Sequence, residues 1–301
     1  MNKNRFYTIL AIITIFFWGT TFVSTKVLLN YITPIQVMLL RYLIAYVGLF
    51  AVYPKFHRSE GIRQELLCMS AALTGSTLYF LSENTALYFT QASNVSLLIS
   101  AAPILTSMVA HLFTRDEKLS RGVIYGFLVA MLGIFFVVFN GHFVLKLSPV
   151  GDLLAITAAL MWAFYTVILR KIKTVHKPVY MTRRIFFYSI LTMLPCLLID
   201  KKPLSLAVLL EPVVLGNLVF LGLIASSLCY VLWYHVVGYM GAVKANNFIY
   251  LNPLVTMLAS IVVLREQVTW LMLLGAVLIL LGVMLAEGPL FRRQAGISEE
   301  L

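Results

Sequence analysis

Of the twelve Asp and Glu residues in this 301-residue chain, Glu83 is the one embedded in the middle of an apolar run. A lone ionised carboxylate is costly in hydrocarbon, so it needs a cationic partner, a proton or a cationic ligand. Ser76 and Tyr79 lie seven and four residues before it, on the same face of a helix. Arg41 is a candidate structural partner. It stands seven residues after Pro34, and Glu83 stands eight before Gln91. At 1.5 Å per residue both would lie roughly 10 to 12 Å below one membrane boundary. The alternatives left open are a structural Arg41/Glu83 pair and proton coupling or substrate binding by Glu83.

A second set of polar residues is periodic. Ser96, Ser100, Pro103, Ser107 and His111 recur at helical spacing, and Asn246, Tyr250, Pro253 and Met257 make a matching stripe later in the chain. A polar stripe among lipid-soluble helices must face another helix or a cavity. Serine is also ordinary glue between membrane helices. Pro103 and Pro253 each remove a helical hydrogen bond and mark expected kinks. Trp18, Tyr79, Trp162, Tyr165, Tyr230, Trp233 and Tyr250 add aromatic faces for stacking and cation–π contact, with plain packing as the competing role. The expected substrate-binding set is therefore Trp18, Tyr79, Glu83, Ser96, Ser100, Trp162, Tyr165, Tyr230, Trp233, Asn246 and Tyr250.

Enzyme chemistry finds little support. His111 and Asp116 have an H-x-x-x-x-D spacing with no second motif to sustain it. No G-x-S-x-G elbow, H-E-x-x-H metal motif or P-loop occurs, so ATP does not power the chain. Cys68, Cys196 and Cys229 are scattered through apolar runs without C-x-x-C spacing and read as small buried hydrophobes. No metal, cofactor or catalytic residue is expected.

The elements that must position these residues are membrane helices. Hydrophobic residues make up 61% of the chain and charged ones 12%, with mean hydropathy +0.92; an average soluble domain carries about 25% charge. Apolar runs place spans at about 6 to 28, 35 to 53, 66 to 88, 94 to 113 and 121 to 140, then 150 to 169, 182 to 199, 214 to 236, 244 to 264 and 268 to 287. The runs are too long for barrel strands, and a helix satisfies its own backbone in lipid. The first run follows Lys3 and Arg5 without a cleavage site and is expected to be a retained span. The net charge of +11 would suggest nucleic acid in a soluble chain. Here, with Arg41, Arg183 and Arg184 inside spans, fifteen of the remaining Lys and Arg fall on one side of the membrane and five on the other. That bias places both termini in the cytoplasm of a multi-pass cell-membrane protein that binds no nucleic acid.

The chain also repeats. Trp18 aligns with Trp162, Lys26 with Arg170 and Pro34 with Pro178 at an offset of 144. Ser76/Ser226, Thr77/Ser227, Ser96/Asn246 and Pro103/Pro253 align at 150, and Glu117/Glu266, Gly126/Gly275 and Gly133/Gly282 at 149. Glu83 aligns with Trp233, so acid chemistry belongs to one half alone. Five spans per half, an odd number, invert the second half. The expected architecture is an all-α polytopic membrane protein of ten transmembrane helices, arranged as two inverted five-helix repeats (residues 1–146 and 147–301) around a central cavity. Such inversion is a transporter design, because exchanging the conformations of the halves exchanges the access states. The small faces Gly126/Ala130/Gly133 and Gly275/Gly282 suit close helix packing, with homodimerisation as the lesser alternative to a monomer.

Trp18-Gly19-Thr20, the stretch Ala86 to Ser93 leading to Pro103, and the junctions Glu117-Lys118-Leu119-Ser120 and Glu266-Gln267-Val268-Thr269 resemble the EamA-type drug/metabolite transporter superfamily over about residues 8 to 287. The resemblance implies a ten-helix basket, a cavity lined mainly by spans 1, 3, 4, 6, 8 and 9, and export of small metabolites or amino acids. Its motifs specify the fold better than the substrate. The expected function is a secondary active exporter working by alternating access, with protons as a coupling ion through Glu83; an uncoupled facilitator or exchanger is the alternative, and an intramembrane enzyme the distant one. The expected partners are a small-molecule substrate and the lipid bilayer.

Overall fold

The computed structural model describes residues 3–58, 60–89, 92–114, 121–139, 149–172, 176–200, 202–264 and 270–287. The Glu117–Ser120 and Glu266–Thr269 junctions, Asp116, Thr90, Gln91 and both chain ends lie outside the described residues, as do the loop cations Arg115, Lys118, Lys146, Lys173, Lys201, Arg265, Arg292 and Arg293.

Every regular element among the described residues is helical. Helix α1 covers Lys3–Leu28 and α2 Pro34–Val52. Helix α3 (Ile62–Ala72), a π-helical segment (Leu73–Leu78) and α4 (Tyr79–Phe89) run on without interruption. Helices α5 (Ala92–Ile99) and α6 (Ala102–Phe113) are parted by residues 100–101, and α7 is Arg121–Phe139. The second half begins with α8 (Pro149–Lys171) and α9 (Pro178–Met193), which a 3₁₀ turn, Leu194–Leu198, prolongs. After the short α10 (Leu206–Leu210) come α11 (Pro212–Val219), a second π segment (Phe220–Leu228) and α12 (Cys229–Met240). Helix α13 (Ala242–Asn247), a 3₁₀ turn (Phe248–Leu251) and α14 (Asn252–Leu264) come next, and α15 is Trp270–Glu287.

Among the described residues, five helical runs are long and apolar enough to cross a membrane: Lys3–Leu28, Pro34–Val52, Pro149–Lys171, Pro178–Leu198 and Pro212–Met240. Large side chains such as Phe16, Leu112, Leu128, Leu153 and Val277 face outward. That apolar exterior suits lipid and would be a liability in water. Helix starts follow local chemistry. Thr33 and Gln36 close a capping box before Pro34, and Pro178 and Pro212 occupy first-turn positions where a missing N–H costs nothing. Helix α9 thus begins at Pro178, four residues before the expected span, because Arg183 and Arg184 are accommodated within it. Arg183 donates to the carbonyl groups of Tyr53 and Lys55, and Arg184 pairs with Glu65. The chain turns sharply between α12 and α13 at Gly241, whose φ of +86° favours glycine.

The two halves are interleaved. Helix α1 packs against α12 and α14, whereas α8 packs against α4 and α6. The expected small faces meet each other: a Cβ on Gly133 of α7 would lie 2.6 Å from the Gly275 carbonyl oxygen of α15, and one on Gly282 would lie 2.7 Å from that of Gly126. Ties at two places join the halves further. The segment after α2 sits on the start of α9, with Tyr180 Oη donating to the His57 carbonyl at 3.0 Å and the His57 and His176 rings stacked 4.3 Å apart. The segment after α9 sits correspondingly on the start of α2. There Gln36 Nε2 donates to the Lys202 carbonyl at 2.7 Å, and Thr33 donates to Asp200.

Candidate functional site

The interleaving brings Trp18 of α1 against Trp162 of α8. The rings meet edge to face, with centroids 5.1 Å apart at 90°. Trp233 lies 5.1 Å from Trp18, Tyr79 lies 5.3 Å from Trp162, and Tyr230 lies 5.6 Å from Trp18. Such geometry is favoured by ring quadrupoles and is worth about 0.5–1.5 kcal/mol per pair beyond area.

Main-chain acceptors fix the cage. Trp18 Nε1 donates to the Ala225 carbonyl at 2.9 Å, and Tyr230 Oη donates to the Gly75 carbonyl at 3.1 Å. Gly75 and Ala225 are equivalent at the offset of 150, and each lies in a π segment. A π segment displaces the helical hydrogen-bond ladder, and such insertions recur at functional sites. Gly75 also lets the Tyr165 ring approach, since a Cβ there would stand 2.2 Å from it. Trp162 Nε1 donates to Asn246 Oδ1 at 3.0 Å, and Asn246 Nδ2 donates to the Ala242 carbonyl at 2.9 Å, so Asn246 orients the indole.

Between these rings lies a cavity of about 30 Å³ lined by Trp18, Thr21, Phe22, Arg41, Tyr79, Phe80, Glu83, Ile99, Trp162, Tyr230, Ile249 and Asn252. That volume accommodates a water or two; metabolite sites run to about 300–1,000 Å³. The cavity is constricted in this conformation.

Five of the expected residues, Trp18, Tyr79, Glu83, Trp162 and Tyr230, line the cavity. Trp233, Tyr165 and Asn246 stand behind them, each against Trp162. Ser96, Ser100 and Tyr250 do not line it. Ser100 Oγ donates to the Ser96 carbonyl at 2.7 Å, and Tyr250 packs with Ala130 and Ile279. Neither stripe lies on one continuous α-helix: residues 100–101 interrupt the first just before Pro103, and a 3₁₀ turn, Phe248–Leu251, which contains Tyr250, interrupts the second just before Pro253. Ile99 and Ile249, again equivalent at 150, turn inward instead, and Asn252 with them. Asn252 was not among the expected residues. Its signal was a polar residue directly preceding a proline, and its Oδ1 is buried without a donor.

Glu83 and Arg41 share the cavity, yet among the described residues no ion pair joins them. Arg41 Nε donates to Ser226 Oγ at 2.5 Å, and the guanidinium lies over the Phe80 ring at 4.3 Å. Glu83 is 3% exposed, and its Oε2 has no donor. The direct Arg41/Glu83 pair, one of the alternatives left open, is not formed here; Ser226 of the second half and Phe80 engage the guanidinium instead. Cys68, Cys196 and Cys229 are buried free thiols, and no group of three metal-ligating side chains occurs among the described residues.

The model of the EamA-like transporter family matches this chain twice, over residues 5–139 and 149–287. An uncharacterized transporter of Archaeoglobus fulgidus is 25% identical over 281 residues, covering 92% of this chain and 96% of that one. A probable amino-acid metabolite efflux pump of Salmonella typhimurium is 27% identical over 303 residues, covering 96% and 97%. A solved crystal structure shares the fold with a TM-score of 0.74 at 18% identity, over 93% of this chain and 96% of that one.

Proposed function

Because the chain belongs to the EamA-like transporter family, and is thus a membrane transporter rather than an enzyme, we propose that it is a secondary active exporter of small metabolites or amino acids, working by alternating access. In this reading ten spans form two inverted five-helix repeats, residues 1–146 and 147–301, in the cell membrane with both termini cytoplasmic. The twofold match of the family model, the repeat offsets and the cation bias support that arrangement. The substrate-binding role is assigned to the residues facing the cavity, Trp18, Tyr79, Glu83, Trp162 and Tyr230, and to Trp233, Tyr165 and Asn246 behind them.

The observation that carries the reading is the narrow aromatic cavity where Trp18 of α1 meets Trp162 of α8. A buried carboxylate and a buried guanidinium face a space too small for any metabolite. Carriage requires the Trp18/Trp162 contact to part toward one side at a time. The tie of the first half's His57 segment to α9 and that of the second half's Asp200 segment to α2 supply a gate at either end. The single acid in the cavity, Glu83, supports proton coupling, since a carboxylate that exchanges a proton for a ligand links the two fluxes.

The test has two steps. Cells expressing the chain are screened for resistance to, and efflux of, amino acids and toxic metabolites. Proteoliposomes then measure flux with and without a pH gradient for the wild type and Glu83→Gln. Coupling predicts gradient-driven flux that the substitution uncouples; unchanged flux with unchanged pH dependence removes the proton role, and a resistance profile identical to empty cells removes export.

A further inference from the structure

Arg41 carries a planar, cationic guanidinium, and the residue is 3% exposed. A buried charge of this kind is stable when its donors are satisfied. Only the Nε proton is taken, by Ser226 Oγ, among the hydrogen bonds formed by the described residues. Its two terminal nitrogens carry four further N–H groups in a planar fork, and Arg41 lines the cavity.

Opposite charge is near but not joined. Glu83 Oε2 and Asn252 Oδ1 line the same cavity, both buried and both without a donor. Phe80 and Ser226 hold Arg41 in place on its side. The site therefore offers a donor fork and separate acceptors, a split ion pair with the cavity between its members.

We propose that Arg41 is the anion anchor of the transported ligand: its fork takes the ligand's carboxylate, while Glu83 and Asn252 face the ligand's ammonium. A bidentate carboxylate matches the free edge of the guanidinium in shape and charge. A cation without a carboxylate would confront Arg41 with like charge, and a neutral apolar ligand would leave both buried charges unpaired. The ligand class is thus a compact zwitterion. At the equivalent position of the second half, 144 residues on, stands Ile185, so the ligand's carboxylate has a place in one half only. This inference rests on the carriage reading above.

The test uses the full chain in proteoliposomes. The probes are the twenty amino acids, the carboxamide and deamino analogue of each one moved, and tetraphenylphosphonium. The wild type should prefer an amino acid over its carboxamide by about 100-fold or more, the scale of one buried, hydrogen-bonded charge pair. Arg41→Gln should remove that preference by losing flux of the acid and not of the amide. Should Arg41→Gln fail to fold, Arg41→Lys replaces the fork with a point charge and should lower the acid-to-amide ratio about tenfold, with Ser226→Ala lowering it less. A ratio that survives in folded Arg41→Gln or Arg41→Lys overturns the assignment, as does a wild type that moves the amide equally well. If the wild type moves tetraphenylphosphonium and no amino acid, carriage stands and the anchor falls. If it moves none of the probes while the efflux screen above shows another solute leaving the cells, carriage stands and the anchor falls; if that screen is also blank, the carriage reading itself fails.

Discussion

Trp18 and Trp162, 144 positions apart in the sequence and equivalent in its repeat, touch edge to face at the centre of the molecule, with ring centroids 5.1 Å apart. Each indole N–H is committed to the second half, one to the Ala225 carbonyl and the other to Asn246. The contact thus links two helices equivalent in the repeat, α1 and α8, through their side chains, and both indoles line the cavity that Arg41 and Glu83 also line.

The two indoles should be energetically coupled. Trp18→Ala and Trp162→Ala should each destabilise the protein by about 3–5 kcal/mol, the usual range for deleting a buried aromatic. The double variant should lose about 0.5–1.5 kcal/mol less than the sum, because the ring–ring contact is lost only once. Reversible denaturation in mixed micelles measures all four chains; strict additivity would show that the rings do not support each other.

How far this site could be read from the sequence depended on helical regularity. Trp18, Trp162, Tyr79, Glu83 and Tyr230 lie in long helical runs, and the structure brings these five to one cavity. The stripes that carry Ser96, Ser100 and Tyr250 run into a break or a 3₁₀ turn, where the α-helical period fails, and Ile99, Ile249 and Asn252 line the cavity instead. The π segments at 73–78 and 220–228 left no compositional trace, because their signature is in hydrogen-bond register rather than side-chain type. Depth arithmetic brought Arg41 to the level of Glu83 but could not foresee Ser226, which arrives from the other half. Continuous hydropathy made the spans legible, while Pro178 at a first-turn position moved the start of α9 beyond what composition alone suggested.

Glycine substitutions should separate close approach from mere helix propensity. At Gly75 a Cβ would stand 2.2 Å from the Tyr165 ring, whereas at Gly216 in α11 nothing lies within 4 Å. Gly75→Ala should therefore destabilise by about 1–3 kcal/mol and shift the cage. Gly216→Ala should stabilise by up to about 1 kcal/mol through helix propensity. Melting temperatures of the purified variants in detergent check both signs.

Acid should loosen the tie between the segment after α2 and α9. Desolvation, together with the nearby His176, Lys55 and Arg183, holds His57 below the ordinary value of 6.5. Tyr53, Tyr180, Glu60 and Lys177 complete the surroundings of the two stacked rings. The unfolded chain then binds more protons than the folded one as pH falls through 6.5, so stability rises with pH across that window and declines below it. The melting temperature of the wild type should drop between pH 7 and pH 5.5 by more than that of His57→Gln; equal drops would place the titration elsewhere.

Counterflow tests carriage through the cage most directly. Proteoliposomes preloaded with an unlabelled amino acid are given a trace of the same amino acid in labelled form, using the wild type and Trp18→Ala/Trp162→Ala. An alternating carrier predicts a transient overshoot of label in wild-type vesicles that saturates with concentration and disappears in the double variant. Flux that is linear in concentration without overshoot, or an overshoot that persists after both indoles are removed, would contradict it.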